Sequence, residues 1–167
     1  YARNFPEALE RGKQAVDTYP GNVLSRANLA LYGMYAGDFD TAREQAEETL
    51  TQNPSYATAF VPLAMAALDR GDLDAARTEY QKLAAIDGGR RIATVGLADL
   101  ALFEGRADEA RATLDAYLQS EEGQEIDGVA GAVLWSMLAE TAALQGDASA
   151  SETFASKALE LSRAPRI

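Results

Sequence analysis

The chain has 167 residues and neither cysteine nor histidine, which excludes disulfides, thiolate chemistry and the usual zinc ligands. Its 26 acidic and 15 basic side chains give a net charge of -11, which disfavours nucleic acid and anionic membranes and favours a basic partner. The sequence contains no apolar run long enough to cross a bilayer and no signal-peptide pattern, so we expect a soluble protein, cytoplasmic rather than exported.

Predicted helices follow one another in pairs, each bounded by residues that end helices. Residues 4–18 resemble the second helix of a repeat whose first helix is missing. Because the chain also starts at Tyr1, we interpret it as a fragment of a larger multidomain protein. Four complete pairs follow, at 22–36 with 40–52, 56–70 with 73–86, 90–104 with 107–119, and 130–145 with 148–162.

These pairs predict a single all-α domain of about nine helices. Its parts are a half repeat at 1–21, repeats at 22–55, 56–89, 90–119 and 130–167, and a polar, exposed insertion loop at 120–129. Gly12 lies inside the first helix, where we expect a neighbouring helix to approach closely. Pro62 lies inside the helix predicted at 56–70 and is expected to bend it.

A short motif marks the turn inside each pair. The segment 37–43, Gly-Asp-Phe-Asp-Thr-Ala-Arg, recurs at 71–77 and, more loosely, at 105–111, so that the three copies are evenly spaced. A fourth copy begins at Gly146. It follows the third copy by one such period plus a short insertion. Glycine suits the turn and aspartate suits the first position of the next helix, so the motif predicts helical hairpins.

A large residue followed by a small one recurs eight residues before each turn glycine. The pairs are Leu29-Ala30, Leu63-Ala64, Leu97-Ala98 and Leu138-Ala139. Five residues after each turn glycine stands another small residue, which is Ala42, Ala76, Ala110 or, as the exception, Ser151. Small residues on facing helices allow the two helices to approach closely, so these positions predict the crossing of each hairpin.

The period, the Leu-small pair, the Gly-Asp turn, the alanine of the second helix and the proline at 20 and 54 resemble the tetratricopeptide repeat (TPR) family. The resemblance implies a right-handed α-solenoid of antiparallel helix hairpins, whose first helices line a concave groove for peptides or partner helices. It also implies a non-catalytic interaction module without a cofactor. Some members of this family bind the carboxylate of a chaperone through positions that carry other residues here. We therefore do not expect this chain to bind chaperones in that way.

We predict the groove lining from the first helix of each repeat. The candidate residues are Asn28, Leu31, Met34, Tyr35, Thr58, Val61, Met65, Asp69, Ile92, Val95, Asp99, Phe103 and Glu140. Such an apolar stripe with a few acids suits an amphipathic helix that carries basic flanks. The same stripe is equally consistent with a surface covered by further repeats or by a second copy of the chain.

Other functions fit the sequence less well than groove binding does. The aspartate pairs at 38 and 40 and at 72 and 74 suggest a calcium loop, but the remaining ligands of such a loop are missing. Arg43, Arg77 and Arg111 follow Asp40, Asp74 and Asp108 by three residues, so we expect ion pairs rather than a phosphate site. The main alternative is a domain that self-associates, for example as a homodimer, or that serves as an intrachain scaffold or spacer, and a carboxylate-based hydrolase is a remote one.

Overall fold

The computed structural model describes residues 4–163 of the chain. In this part it contains ten α-helices, one short 3₁₀ turn and no strand. The helices are α1 Phe5–Thr18, α2 Val23–Ala36, α3 Phe39–Gln52, α4 Phe60–Asp69, α5 Leu73–Ala84, α6 Arg90–Phe103, α7 Ala107–Leu118, α8 Glu121–Gln124, α9 Gly128–Leu144 and α10 Ala148–Arg163, and the 3₁₀ turn is Ala57–Ala59. The all-helical prediction is confirmed, and α8 is the helix that the sequence did not predict.

The chain divides into two compact units, with the boundary between Arg90 and Arg91. In the first unit, α1 packs on α2, α2 on α3, and α4 on both α3 and α5. In the second unit, α9 packs on α7 and α10, and buried residues of α6, α7 and α9 form one apolar cluster. Each unit therefore has its own helical core.

Each hairpin turns at a glycine in the left-handed conformation. Gly37, Gly71, Gly105 and Gly146 have φ between 72° and 78°, a region that side chains other than glycine rarely adopt. The next residue is an aspartate at three of the four turns, and its carboxylate accepts a hydrogen bond from the backbone N–H three residues on, at 2.9–3.1 Å. The capping role predicted for these aspartates is confirmed.

The cap formed by Asp38 shows the electrostatic effect of this arrangement. The backbone N–H and the hydroxyl of Thr41 donate to its carboxylate, and the Lys13 ammonium lies 3.9 Å away. These contacts favour the charged form, so the Thr41 bonds and then Lys13 lower the pKa of Asp38 below its ordinary value. The stability that they give is present at neutral pH and is lost as the pH falls through this lowered pKa.

Most of the small residues predicted at the hairpin crossings are buried, whereas Ser151 of the last hairpin is half-buried. Ala42, Ala76 and Ala110 are fully inaccessible to solvent. Leu29 and Leu138 are buried beside them, whereas Leu63 and Leu97 are half-buried. The crossings are therefore packed through methyl groups, which leaves little free space between the two helices of a hairpin.

Two predictions about individual segments need correction. Pro62 is the third residue of α4, which begins only at Phe60, and the N–H groups of a first helical turn have no intrahelical partner, so no bend is required. The insertion is not simply an exposed loop, because it contains α8 and because Ile126 packs against the core of the second unit. Gly123 of this segment is buried against the backbone of Tyr117.

Gly12 and Gly33 are both buried glycines inside helices, but they face different neighbours. A methyl group on Gly12 would meet the side chains of Leu29 and Tyr32, with Cδ1 of Leu29 and the ring carbon Cδ2 of Tyr32 each at 3.0 Å, which confirms the expected close approach. A methyl group on Gly33 would meet the backbone of α3, with the Ala42 nitrogen at 2.9 Å and the Asp38 oxygen at 3.0 Å. Flexible side chains can move aside, whereas a helix backbone cannot.

We therefore expect Gly33→Ala to lower the free energy of unfolding by about 1–3 kcal/mol, the usual cost of overpacking. Gly12→Ala is the matched control. Its effect should stay within about 1 kcal/mol, because the gain in helix propensity offsets the displacement of two side chains. Urea unfolding followed by circular dichroism measures both. Equal effects of the two substitutions would contradict the close backbone contact at Gly33.

Candidate partner-binding surface

The thirteen residues predicted to line a groove are all at least partly accessible to solvent. Eight of them lie in the first unit, on α2, the 3₁₀ turn and α4, and five lie in the second unit, on α6 and α9. Within each unit they lie on the first helices of the hairpins.

In the first unit, the face is apolar. Leu31 of α2 and Met65 of α4 occupy equivalent positions one period apart, and both are half-buried. The sulfur of Met65 accepts a weak hydrogen bond from the hydroxyl of Tyr80, at 4.0 Å, which restrains this flexible side chain. At one end of the face, Tyr35 stacks on Phe5 with ring centroids 5.3 Å apart, a contact that the sequence did not predict.

In the second unit, acidic and apolar side chains occupy successive turns. Asp99 of α6 and Glu140 of α9 stand at equivalent repeat positions and are both exposed. Four residues further along each helix come Phe103 and Leu144, which are 78% and 64% exposed. A residue four positions later lies one turn along the same helical face, so two carboxylates are followed by two large apolar side chains.

The two carboxylates of this face repel each other. Although Asp99 is exposed at the surface, the surrounding protein shields part of its carboxylate from water. This desolvation, and then the negative charge of Glu140, raise the pKa of Asp99 above its ordinary value. A cation bound between the two groups would relieve the repulsion.

Helix α9 exposes more apolar surface than the sequence predicted. Val129 and Val133, which were absent from the predicted lining, are 57% and 42% exposed. Glu140 is the single charged residue of this 17-residue helix. A helix with almost no polar face is usually covered on all sides. The composition of α9 could therefore have indicated an interaction surface from the sequence alone.

Two of the motif arginines, Arg43 and Arg111, pair with a residue one turn later and not with the aspartate that precedes them. Arg43 pairs with Glu47 at 3.3 Å, and Arg111 pairs with Asp115 at 2.8 Å, so the partners predicted for these two arginines were wrong. The guanidinium of Arg111 also lies 4.9 Å from the ring centroid of Phe154. Because each arginine and its acidic partner lie one turn apart on the same helix, both charges of the pair lie on the accessible side of that helix.

A cleft of about 510 Å³ lies on the other side of the first unit, between α3, α4 and α5. Its charged rim already contains internal ion pairs, Arg43 with Glu47 and Lys82 with Glu79 at 2.7 Å. The charges within each pair neutralise each other, and Arg70 adds one further positive charge to the lining of this cleft.

Two further properties limit the chemistry of the described residues. Between residues 4 and 163, no helix is long and apolar enough to cross a membrane. The same part of the chain contains no group of three or more acidic side chains arranged to hold a metal ion. The first aspartate of each pair named for a calcium loop, Asp38 and Asp72, caps α3 and α5.

We expect Asp99→Asn to raise the melting temperature at neutral pH, because it removes the repulsion with Glu140. The gain over the wild type should shrink as the pH falls through the raised pKa of Asp99, since the wild-type carboxyl then becomes neutral, and it should vanish once this residue is protonated in both folded and unfolded chains. Thermal unfolding from neutral to acidic pH tests this. Asp69→Asn, on the exposed face of the first unit, is the control, and an equal gain there would contradict the assignment.

Comparison with known proteins supports the repeat architecture. Two models described as tetratricopeptide repeat match residues 28–91 and 67–129, so that together they span 28–129. None of the curated proteins gives a significant match.

Solved structures show the same fold at low sequence identity. The thermophilic TPR protein TTC0263 of Thermus thermophilus superposes with a TM-score of 0.76 and 20% identity, over 96% of this chain and 84% of that one. MamA gives a TM-score of 0.69 and 19% identity, over 94% and 88% of the two chains. The APC/C assembly Cut9–Hcn1 gives a TM-score of 0.79 and 17% identity, over 98% of this chain and 30% of the matched chain. Because the repeated motifs, the hairpin geometry and these matches agree, we conclude that the chain belongs to the tetratricopeptide repeat family.

Proposed function

We propose that this chain is a non-catalytic interaction module that binds a helical or extended segment of a partner protein on the exposed faces of its first helices. Tetratricopeptide repeats in general act as scaffolds for protein–protein contacts and are in general not catalytic. The proposal for this chain goes further, because it assigns the binding surface and the chemistry of the partner.

The observation that carries the proposal is the arrangement of the second unit. The carboxylates of Asp99 and Glu140 stand at the same repeat position and repel each other, and the exposed Phe103 and Leu144 follow one turn later on each helix. A lysine or arginine of the partner would relieve the repulsion between the carboxylates. A large apolar residue one turn away on the partner helix would cover the two exposed side chains.

The net charge of the chain supports the same partner. A charge of -11 attracts basic segments at long range and accelerates their association, and this attraction weakens as salt is added. The specificity comes from the local pairing of acid with base and of apolar with apolar side chains. The proposed ligand is therefore an amphipathic segment with a basic residue one turn before a large apolar residue.

The first unit would contribute apolar contacts. Leu31 and Met65 occupy the repeat positions that Asp99 and Glu140 occupy in the second unit. A partner segment for this face would carry apolar residues where the segment for the second unit carries a base. Met65 suits such a role because its unbranched thioether adapts to partners of different shape.

A charge-swap experiment tests the assigned partner chemistry. The probe is a fluorescein-labelled helical peptide with lysine at one position and leucine four residues later, and the matched probe has glutamate in place of lysine. We expect the chain to bind the lysine probe, and the Asp99→Lys, Glu140→Lys double variant to prefer the glutamate probe. Fluorescence polarisation measures both affinities.

The apolar half of the face and the pH provide the controls. Phe103→Glu combined with Leu144→Glu should weaken the lysine probe about tenfold or more, since each apolar contact contributes about 1.5–3 kcal/mol when fully buried. Affinity should also fall as the pH drops through the raised pKa of Asp99. Unchanged probe preference in the charge-swapped variant would refute the role of the carboxylates.

The contribution of the first unit is tested separately. Leu31→Glu combined with Met65→Glu should abolish capture of peptides selected on the wild-type chain from a displayed library of helical sequences. Both residues are only half-buried, so helicity measured by circular dichroism should be retained. Full capture by the folded double variant would remove this face from the binding surface.

A further inference from the structure

The cleft between α3, α4 and α5 of the first unit contains two polar groups whose bonding capacity is not used by the residues that the structure describes. We call it the α3–α5 cleft. Its volume of about 510 Å³ lies within the usual range of small-molecule sites, about 300–1,000 Å³. None of the residues proposed above to bind a partner lines it. The cleft is therefore a candidate for a ligand of its own.

The first of these groups is the guanidinium of Arg70. This residue follows the last residue of α4, lines the cleft and is exposed. The other two cations of the lining, Arg43 and Lys82, are already paired with Glu47 and Glu79. In the described part of the chain, no carboxylate forms an ion pair with Arg70. Its five N–H donors form a fork that matches a carboxylate, so this side of the cleft favours an acidic group.

The second group is the carboxylate of Glu79, whose side chain is only 17% exposed. Lys82 donates to one of its oxygens, Oε1, at 2.7 Å. The other oxygen, Oε2, is buried and has no hydrogen-bond partner among the described residues. A buried carboxylate oxygen without a donor is unfavourable. Because the last torsion of a glutamate side chain is soft, the carboxylate can rotate to present this oxygen to an N–H donor in the cleft.

The remainder of the lining is mainly apolar. Leu50 of α3, Pro54, and Phe60 and Leu63 of α4 contribute to it. Phe60 is buried, whereas Leu50 and Leu63 are half-buried and pack against an apolar cluster of their unit. An apolar group of a ligand that lies on these two leucines is removed from water, so the cleft favours a large aliphatic or aromatic side chain.

The net charge of the chain narrows the class of ligand further. A charge of -11 repels anions at long range, so a ligand that brings a carboxylate to Arg70 associates more readily when it also carries a positive charge. An ammonium group supplies this charge and provides N–H donors for Glu79. An α-amino acid carries both groups beside its side chain and has no net charge.

We propose that the α3–α5 cleft binds a small zwitterion, an α-amino acid or a dipeptide with a large apolar side chain. The guanidinium of Arg70 donates to the ligand carboxylate, Glu79 accepts from its ammonium group, and the apolar side chain lies on Leu50 and Leu63. This site does not depend on the partner segment proposed above, because the two surfaces share no residue. Failure of either proposal leaves the other one testable.

An NMR titration of the ¹⁵N-labelled full chain tests this proposal, with L-leucine and leucyl-leucine as probes. We expect saturable shifts of the amide signals of Leu50, Leu63 and Glu79, and the tighter probe distinguishes an amino-acid site from a dipeptide site. Three derivatives lack one feature each: the C-terminal amide lacks the carboxylate, the N-acetyl derivative lacks the ammonium group, and glycine or glycyl-glycine lacks the apolar side chain. Each should bind about tenfold more weakly or less. Salt at about 0.15 M limits long-range attraction of the cationic amide to the chain.

Matched variants assign each polar contact. Arg70→Gln should weaken the probe about tenfold or more but change the affinity of its C-terminal amide less than about twofold, because the amide has no carboxylate to lose. Glu79→Gln should weaken the probe in the same way but leave its N-acetyl derivative within about twofold. Arg11→Gln is the control, since it removes the same charge from an exposed position of α1, and it should change the probe affinity less than about twofold. Circular dichroism verifies folding, and the derivatives on the wild-type chain test the same contacts if Glu79→Gln does not fold.

The remaining outcomes overturn the proposal. The absence of a saturable shift at the cleft with either probe would show that it does not bind a zwitterion of this kind. Equal affinities of the probe and its two capped derivatives would show that the charged groups play no part in binding. Affinities that are unchanged by Arg70→Gln and Glu79→Gln, or that fall equally with Arg11→Gln, would place the ligand outside the cleft.

Discussion

The close crossing of the two helices within each hairpin is the contact on which the rest of the structure depends. Ala42, Ala76 and Ala110 are fully buried there, and Gly33 meets the backbone of α3 with no room for a methyl group. Because the backbones approach so closely, the large side chains of the first helices cannot all fit inside the hairpin. Some of them remain at the surface, where they are available to a neighbouring helix or to a partner.

The elements that the sequence predicted well are those that recur. The turn glycines, the capping aspartates and the facing alanines each appear at a fixed spacing, so every copy supported the others. Pro62 and the insertion occur once and lacked this support. The sequence could not show that α4 begins late enough to place Pro62 in its first turn, or that Ile126 returns to the core. Each of these outcomes depends on packing between distant residues.

The residues predicted for the site are all accessible to solvent, but the chemistry of this surface depends on which helices lie next to each other. Asp99 and Glu140 belong to different repeats and are far apart in the sequence, and nothing local indicates that they repel each other. Leu31 and Met65 occupy the corresponding positions in the first unit. A single repeat position is thus apolar in two hairpins and acidic in the other two, while the scaffold that presents it is unchanged. This variation at a constant position is how a repeat protein acquires specificity without a new fold.

The central claim is that the paired carboxylates and the apolar residues one turn beyond them bind a basic amphipathic segment. The most direct test is an NMR measurement on the full chain with a bound lysine–leucine helical peptide that carries a nitroxide spin label beside its lysine. We expect selective broadening of the amide signals near Asp99, Phe103, Glu140 and Leu144. Broadening that is confined to other helices, or that is spread evenly over the chain, would contradict it.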